Sequence, residues 1–134
     1  MSPLRGISIL LIEDNADVRD LTLFMLERLG ARVRVAENGE EGFARVLEEC
    51  PDLVLCDLMM PVMDGIEFAR KVRRTPECAH ARLVALTSRR DDDTYMRAWA
   101  AGFDAYLEKP VTPEKLEAVA ARFLSGPGRP SDSN

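Results

Sequence analysis

The chain has 134 residues, enough for one domain with a real core, and its 46% hydrophobic and 31% charged content is ordinary for a globular protein in water. A formal net charge of -5 with no basic block or stripe argues against nucleic acid as a main partner. No apolar run approaches the roughly 18 residues of a membrane span, and no signal-peptide core opens the chain, so the sequence reads as cytoplasmic, with no membrane partner.

In chain order, short apolar runs alternate with helix-like stretches. "ISILLI" (7–12) leads into "DVRDLTLFMLERLG", where Val18, Leu21, Met25 and Leu29 form an amphipathic stripe at helical spacing and Gly30 suits a C′ position. "RVRVA" (32–36) precedes the amphipathic "EEGFARVLEE", and "DLVLC" (52–56) precedes "GIEFARKVRR". "RLVAL" (82–86) precedes "DDDTYMRAWAAG", which opens with acids that suit a helix N-terminus and ends in Gly102. "AYL" (105–107) precedes "TPEKLEAVAARFL", with Thr112 as N-cap, Pro113 at the first helical position, and an apolar stripe at Leu116, Val119, Ala120 and Phe123. The alternation predicts five βα units and a parallel sheet with helices on both faces, over residues 1–124. "SGPGRPSDSN" (125–134) is expected to be a disordered tail or linker. Arg73-Arg74 and Arg89-Arg90 read as solvated helix ends or loops.

Three cysteines, Cys50, Cys56 and Cys78, give an odd count without C-x-x-C or metal spacing, which reads as a reducing setting. Cys56 lies inside an apolar run, where a cysteine is usually a small core residue. More telling are the run ends. In an open α/β sheet, ligands bind outside the carboxyl ends of the strands. The first run ends in Glu13-Asp14, the third in Asp57, the fourth in Thr87-Ser88, and the fifth leads to Lys109. Singly, Asp14 reads as a helix cap, Asp57 as a turn former, Thr87 as a cap and Lys109 as a solvated charge. Together those readings fail, because three clustered carboxylates raise one another's pKa unless a cation holds them ionised. Carboxylate and carbonyl oxygens with water suit Mg²⁺.

Over about residues 6 to 124 the sequence closely resembles the receiver domains of two-component response regulators. The resemblance rests on "LIEDN" with Glu13 and Asp14, "DLMMPVMDG" with Asp57, "ALTS" with Thr87, and "YLEKP" with Tyr106, Lys109 and Pro110, in that order. It implies an α/β flavodoxin-like (βα)5 fold, strand order 2-1-3-4-5, acting as a phosphoacceptor switch. By that resemblance Asp57 takes a phosphoryl group from a phosphohistidine on a sensor histidine kinase or phosphotransfer protein. Asp14 and Asp57 hold Mg²⁺ directly, Glu13 holds it through water, and the Met59 backbone carbonyl completes the protein ligands. Lys109 contacts the phosphoryl oxygens, Thr87 moves to bond them, and Tyr106 swings inward. The bond before Pro110 is expected to be cis, which X-Pro adopts at low cost. The signal leaves through the face made by the fourth helix, fifth strand and fifth helix, to a downstream protein.

Ser88 stands where the family often has Ala or Gly. The resemblance also implies that Met59 and Arg89, two positions beyond Asp57 and Thr87, flank the entry path for hydrolytic water. Trp99, on the fourth helix, packs either in the core or on the partner-facing surface. Asp64-Gly65 reads as a turn into the third helix, and His80, the single histidine, as structural or incidental. Two other readings compete. An aspartate-nucleophile phosphatase of the haloacid dehalogenase type needs an acid two residues after the nucleophile, where Met59 stands. A receiver-like module that is never phosphorylated has no need of the complete residue set. The chain is expected to catalyse only its own phosphorylation and dephosphorylation.

Overall fold

The computed structural model describes residues 4–60, 62–88 and 91–123; Arg89, Arg90 and the 125–134 tail lie outside them. The apolar runs form five strands: β1 (Ser8–Ile12), β2 (Arg32–Ala36), β3 (Leu53–Asp57), β4 (Arg82–Thr87) and β5 (Ala105–Glu108). All pair in parallel, as the βα alternation predicts, and in the order β2-β1-β3-β4-β5 that the family resemblance implies. The five helices are α1 (Ala16–Arg28), α2 (Gly39–Glu48), α3 (Gly65–Arg73), α4 (Asp92–Ala101) and α5 (Pro113–Phe123), with one 3-10 turn at Pro76–Cys78.

Side chains of a strand point alternately to its two faces, so each central strand feeds two cores. Leu10, Ile12, Val54 and Cys56 pack with Val46 of α2, Ile66, Phe68 and Val72 of α3, and Ala98 of α4. Ile9, Leu11, Leu53 and Leu55 pack on the other face with Leu26 of α1 and Leu116, Val119 and Ala120 of α5. That double burial is why β1 and β3 are apolar without alternation. Phe68 is fully buried, and truncating it to Ala should cost about 3–5 kcal/mol. At the sheet edge, β2 is only half covered, and its arginines lie along α2: Arg34 donates to the Arg45 and Glu49 carbonyls.

The helix ends follow the capping chemistry written in the sequence. Asp64 and Asp91 cap α3 and α4 by accepting from the Glu67 and Thr94 amides, and the Thr112 hydroxyl accepts from the Lys115 amide ahead of α5. Gly102 ends α4 at φ 110, a left-handed conformation that glycine adopts without a Cβ clash. Two expectations are corrected. The stripe on α1 is core-facing only in its second half: Val18 and Leu21 are exposed, Met25 and Leu29 are partly buried against the core, and Thr22 and Leu26 are the buried pair. The cysteines are not all free thiols either, because Cys50 and Cys78 are joined by a disulfide, and only Cys56 is free. The half-cysteines are 28 residues apart, a separation that carries no sequence signal.

Candidate functional site

The carboxyl ends of β1, β3, β4 and β5 deliver the residues singled out in the sequence to one edge of the sheet. Glu13 follows β1, its amide held by the Ala36 carbonyl at 3.0 Å. Asp57 is the last residue of β3 and Thr87 the last of β4, one position further along each strand than the apolar runs suggest. Lys109 follows β5 and donates its amide to the Thr87 carbonyl at 2.8 Å; the Lys109–Pro110 peptide bond is cis. Asp14 does not cap α1. Its neighbour Asn15 does so, accepting from the Val18 amide at 3.0 Å, which leaves the Asp14 carboxylate exposed beside the site.

These placements bring Glu13, Asp14 and Asp57 together, with a ligating oxygen of each within 4.8 Å of the others. Glu13 and Asp57 are buried, at 1% and 6% exposure, and so is Thr87 at 1%. Lys109 Nζ donates to Glu13 Oε1 at 2.7 Å and to Asp57 Oδ2 at 3.1 Å. The second Asp57 oxygen accepts from the Met59 amide at 3.0 Å, so the backbone at Met59 turns around the carboxylate. Glu13 Oε2 accepts from the Asn15 amide at 3.1 Å, and Arg19 donates to the Glu13 carbonyl at 2.9 Å. Each buried carboxylate oxygen therefore has a donor, as burial demands.

Burial pushes the Glu13 carboxyl above its ordinary value; the hydrogen bonds from Lys109 and Asn15 oppose this without cancelling it. Burial by itself would lower the Lys109 ammonium, but the bond to Glu13 and the charge of Asp57 outweigh it and hold the group raised, so Lys109 stays a cation. Three carboxylates against one ammonium leave two negative charges in this side-chain cluster. The deficit, and a donor set made only of oxygens, fit one hard divalent cation of the Mg²⁺ type.

Two features escape sequence reading. Gly65 starts α3 directly against the site: a Cβ there would lie 2.6 Å from the Asp57 carbonyl oxygen, so the Asp64-Gly65 pair does more than turn the chain. Tyr95 of α4 stands between Trp99 and Tyr106, with ring centroids 5.8 and 5.2 Å away in edge-on arrangements. Its position four residues before Trp99, one helical turn, is the signal that could have found it. Trp99 lies on the surface at 39% exposure and not in the core. Tyr95 and Tyr106 line a cavity of about 370 Å³ with Asp91, Asp92 and Glu108. His80 is exposed in a turn ahead of β4, at the amino end of the sheet.

The response regulator receiver domain family model matches residues 9–121. A 14.6 kDa protein encoded in the sodA1 3′ region of Leptolyngbya boryana is 40% identical over 92% of this chain and 94% of its own length. The transcriptional regulatory protein AfsQ1 of Streptomyces coelicolor is 37% identical over 94% of this chain and 55% of its own. The chain thus spans about half the length of the transcriptional regulators it matches. Among solved structures, the chemotaxis protein CheY4 of Vibrio cholerae superposes with a TM-score of 0.82 at 28% identity, over 87% of this chain and 97% of that one. The receiver domain of the sensor histidine kinase PA1611 from Pseudomonas aeruginosa, solved with a magnesium ion in its active-site cleft, gives 0.82 at 29% identity, over 87% and 96%.

Proposed function

Because the chain belongs to the response regulator receiver family, whose members are phosphoacceptor switch domains, we propose that Asp57 is its phosphoacceptor and that a histidine kinase or histidine phosphotransfer protein is its donor. The observation that carries this reading is the buried Asp57 carboxylate at the tip of β3, held on one oxygen by Lys109 and on the other by the Met59 amide.

In the transfer, an Asp57 oxygen forms a bond to phosphorus while the phosphorus–nitrogen bond to the donor histidine breaks. Such a reaction asks mainly for positioning and for neutralisation of the phosphoryl oxygens. The two hydrogen bonds fix the carboxylate, and Lys109 is positioned to neutralise phosphoryl charge. Asp14, Asp57 and the Met59 carbonyl would ligate Mg²⁺ directly, with Glu13 acting through water; the ion would supply further charge neutralisation at the phosphoryl oxygens. Thr87, at the end of the neighbouring strand, is the hydroxyl placed to bond the incoming group.

Phosphorylation adds about -1.5 to -2 charges and three acceptor oxygens. A shift of Thr87 towards them would free space for Tyr106, and the α4–β5–α5 face with Tyr95 and Trp99 would present the result to a downstream protein. Residues 1–124 act as the receiver unit and 125–134 as a tail or linker. Among the described residues no helix is long and apolar enough to cross a membrane, and we place the protein in the cytoplasm with its donor. Met59 cannot supply the second acid of a phosphatase, so the chain turns over only its own phosphoryl group. Mass spectrometry after incubation with Mg²⁺ and acetyl phosphate tests the reading. A gain of one phosphoryl group, located to Asp57, is expected; an unchanged mass under conditions that label a known receiver domain would reject it.

A further inference from the structure

The amino end of the sheet carries a chemistry that the phosphoacceptor role does not use. Cys50 lies between α2 and β3, Cys78 closes the 3-10 turn ahead of β4, and their Cα atoms are 5.6 Å apart, a separation that suits a cross-link. Hydrogen bonds that do not involve sulfur hold both backbones. On the Cys50 side, the Glu49 amide donates to Arg45, Arg34 donates to the Glu49 carbonyl, and the Asp52 amide donates to Ser8. On the other, the Cys78 amide donates to Thr75, the Ala81 amide donates to Cys78, and Arg73 Nη1 donates to the Ala79 and Ala81 carbonyls at 2.6 and 2.7 Å. The two sulfurs therefore remain neighbours when the bond between them is open.

Their accessibility differs. Cys50 is half-buried, whereas Cys78 is 1% exposed and Cys56 is fully buried. A reagent from solution reaches Cys50 first. From this we propose that Cys50 and Cys78 form a reversible thiol–disulfide exchange site, in which Cys50 takes a small disulfide of the glutathione type and Cys78 resolves it. In the closing direction the Cys50 thiolate attacks one sulfur of glutathione disulfide, forming a mixed disulfide and releasing one glutathione thiolate. The Cys78 thiolate then attacks Cys50 Sγ, forming the internal bond and releasing the second glutathione. Two thiols are oxidised, one glutathione disulfide is reduced, and the two protons pass to the released glutathiones.

The closed ring encloses β3, which ends at Asp57, and α3, which follows it. Cys50 is seven residues before Asp57, at most about 23 Å at about 3.3 Å per residue, so the bond fastens the far end of the strand and leaves the acid cluster untouched. Its effect falls on stability and not on phosphoryl acceptance.

The full chain is equilibrated in buffers of graded glutathione to glutathione disulfide ratio, quenched, alkylated under denaturing conditions and weighed. In reducing buffer three cysteines should be alkylated; in oxidising buffer one, Cys56, with the passage between them reversible. Cys78→Ser should accumulate a single glutathione adduct on Cys50, and Cys50→Ser should accumulate none. Closing the ring should raise the melting temperature of the wild type by on the order of 10 °C, with labelling by acetyl phosphate unchanged. Three alkylated cysteines at every ratio, a bond that no ratio opens, or an adduct on Cys78 in preference to Cys50 would each overturn the assignment. The wild-type titration needs no variant to fold.

Discussion

The two ends of the sheet each hold acid and base side chains at less than one-third exposure, and they balance them differently. At the amino end Arg73 and Asp104 form one pair, 2.9 Å apart, in which every guanidinium nitrogen donates. Arg73 also donates to the carbonyls of Gly102, Ala79 and Ala81, and Asp104 also accepts from the Leu83 amide. Even Gly102 fits this lock, since a Cβ there would lie 2.8 Å from Arg73 Cγ. At the carboxyl end Glu13 and Asp57 share one lysine, Lys109, and the exposed Asp14 carboxylate adds a third negative charge beside them. A balanced cluster staples the fold; an unbalanced one, held unbalanced by buried hydrogen bonds, is prepared for a cation and for chemistry.

The sharpest way to separate the two ends is to remove one acid from the unbalanced cluster. Asp57→Asn should abolish acetyl phosphate labelling altogether while the fold persists. In metal-free buffer it should melt no lower than the wild type, because a charge leaves a repulsive cluster. Retention of wild-type labelling, by intact mass, would refute Asp57 as the acceptor.

Breaking the balanced end should do the reverse. Arg73→Ala strips donors from three carbonyls and leaves Asp104 without its cation, at a cost of about 2–4 kcal/mol, or roughly 10 °C in melting temperature. Labelling of Asp57 at a temperature where the variant is folded should be unaltered. If Arg73→Ala melts like the wild type, the amino end is not a staple.

These two ends were unequally legible in the sequence. Strand runs, the acids opening α4, the cap at Thr112, and the acids at run ends follow from local rules, because a two-sided strand must be apolar and a helix start needs an acceptor. The site residues could be listed but not connected: the Lys109–Glu13 bond joins positions 96 apart, and no spacing encodes it. The same holds for Arg73 with Asp104, 31 apart, and for the cysteine pair. Helix α1 misleads for another reason. It carries apolar residues on several sides, so the Val18 and Leu21 stripe looks like a core face while Thr22 and Leu26 occupy it. Asp14 and Asn15 are both good caps by type, and only geometry decides between them.

A smaller effect sharpens the comparison through the cation itself. At ten times its dissociation constant Mg²⁺ should stabilise the wild type by about 1.4 kcal/mol, roughly 5 °C. Asp14→Ala should lose most of that gain and Arg73→Ala none of it. The pH dependence has a definite sign. The Glu13 pKa is raised in the metal-free fold, so the folded state binds its proton more readily than the unfolded chain. That contribution to stability is present below the ordinary glutamate range and lost as pH rises through the raised value. Glu13→Gln should therefore gain stability relative to the wild type across that window in metal-free buffer. Mg²⁺ stabilisation of the wild type should fade on acidification before an ordinary glutamate would protonate. Parallel melts of both proteins from pH 4 to 8 check this; a constant difference between them would contradict the shift.

The smallest expected effect tests whether the unbalanced end communicates with the surface. Thr87 is buried at the tip of β4, and its carbonyl holds the Lys109 amide, so the strand that presents the hydroxyl is tied to the strand that carries Tyr106. Register pairs Thr87 with Glu108 and Ala85 with Tyr106. A phosphoryl group can shift the α4–β5–α5 face only if it interacts more favourably with one arrangement than with the other. The Thr87 hydroxyl is the group proposed to supply that difference. Thr87→Ala removes the hydroxyl and one buried methyl group, and should cost about 1 kcal/mol of stability. It should still accept phosphate at Asp57, because Lys109 and the acids remain. Beryllofluoride with Mg²⁺ can stand in for the phosphoryl group, and amide chemical shifts over residues 91–123 report the far face. In the wild type the changes should extend through Tyr95 and Trp99 to Tyr106; in Thr87→Ala they should contract to the immediate neighbours of the site. Equal changes in both proteins would mean that the signal reaches the aromatic cluster without passing through Thr87.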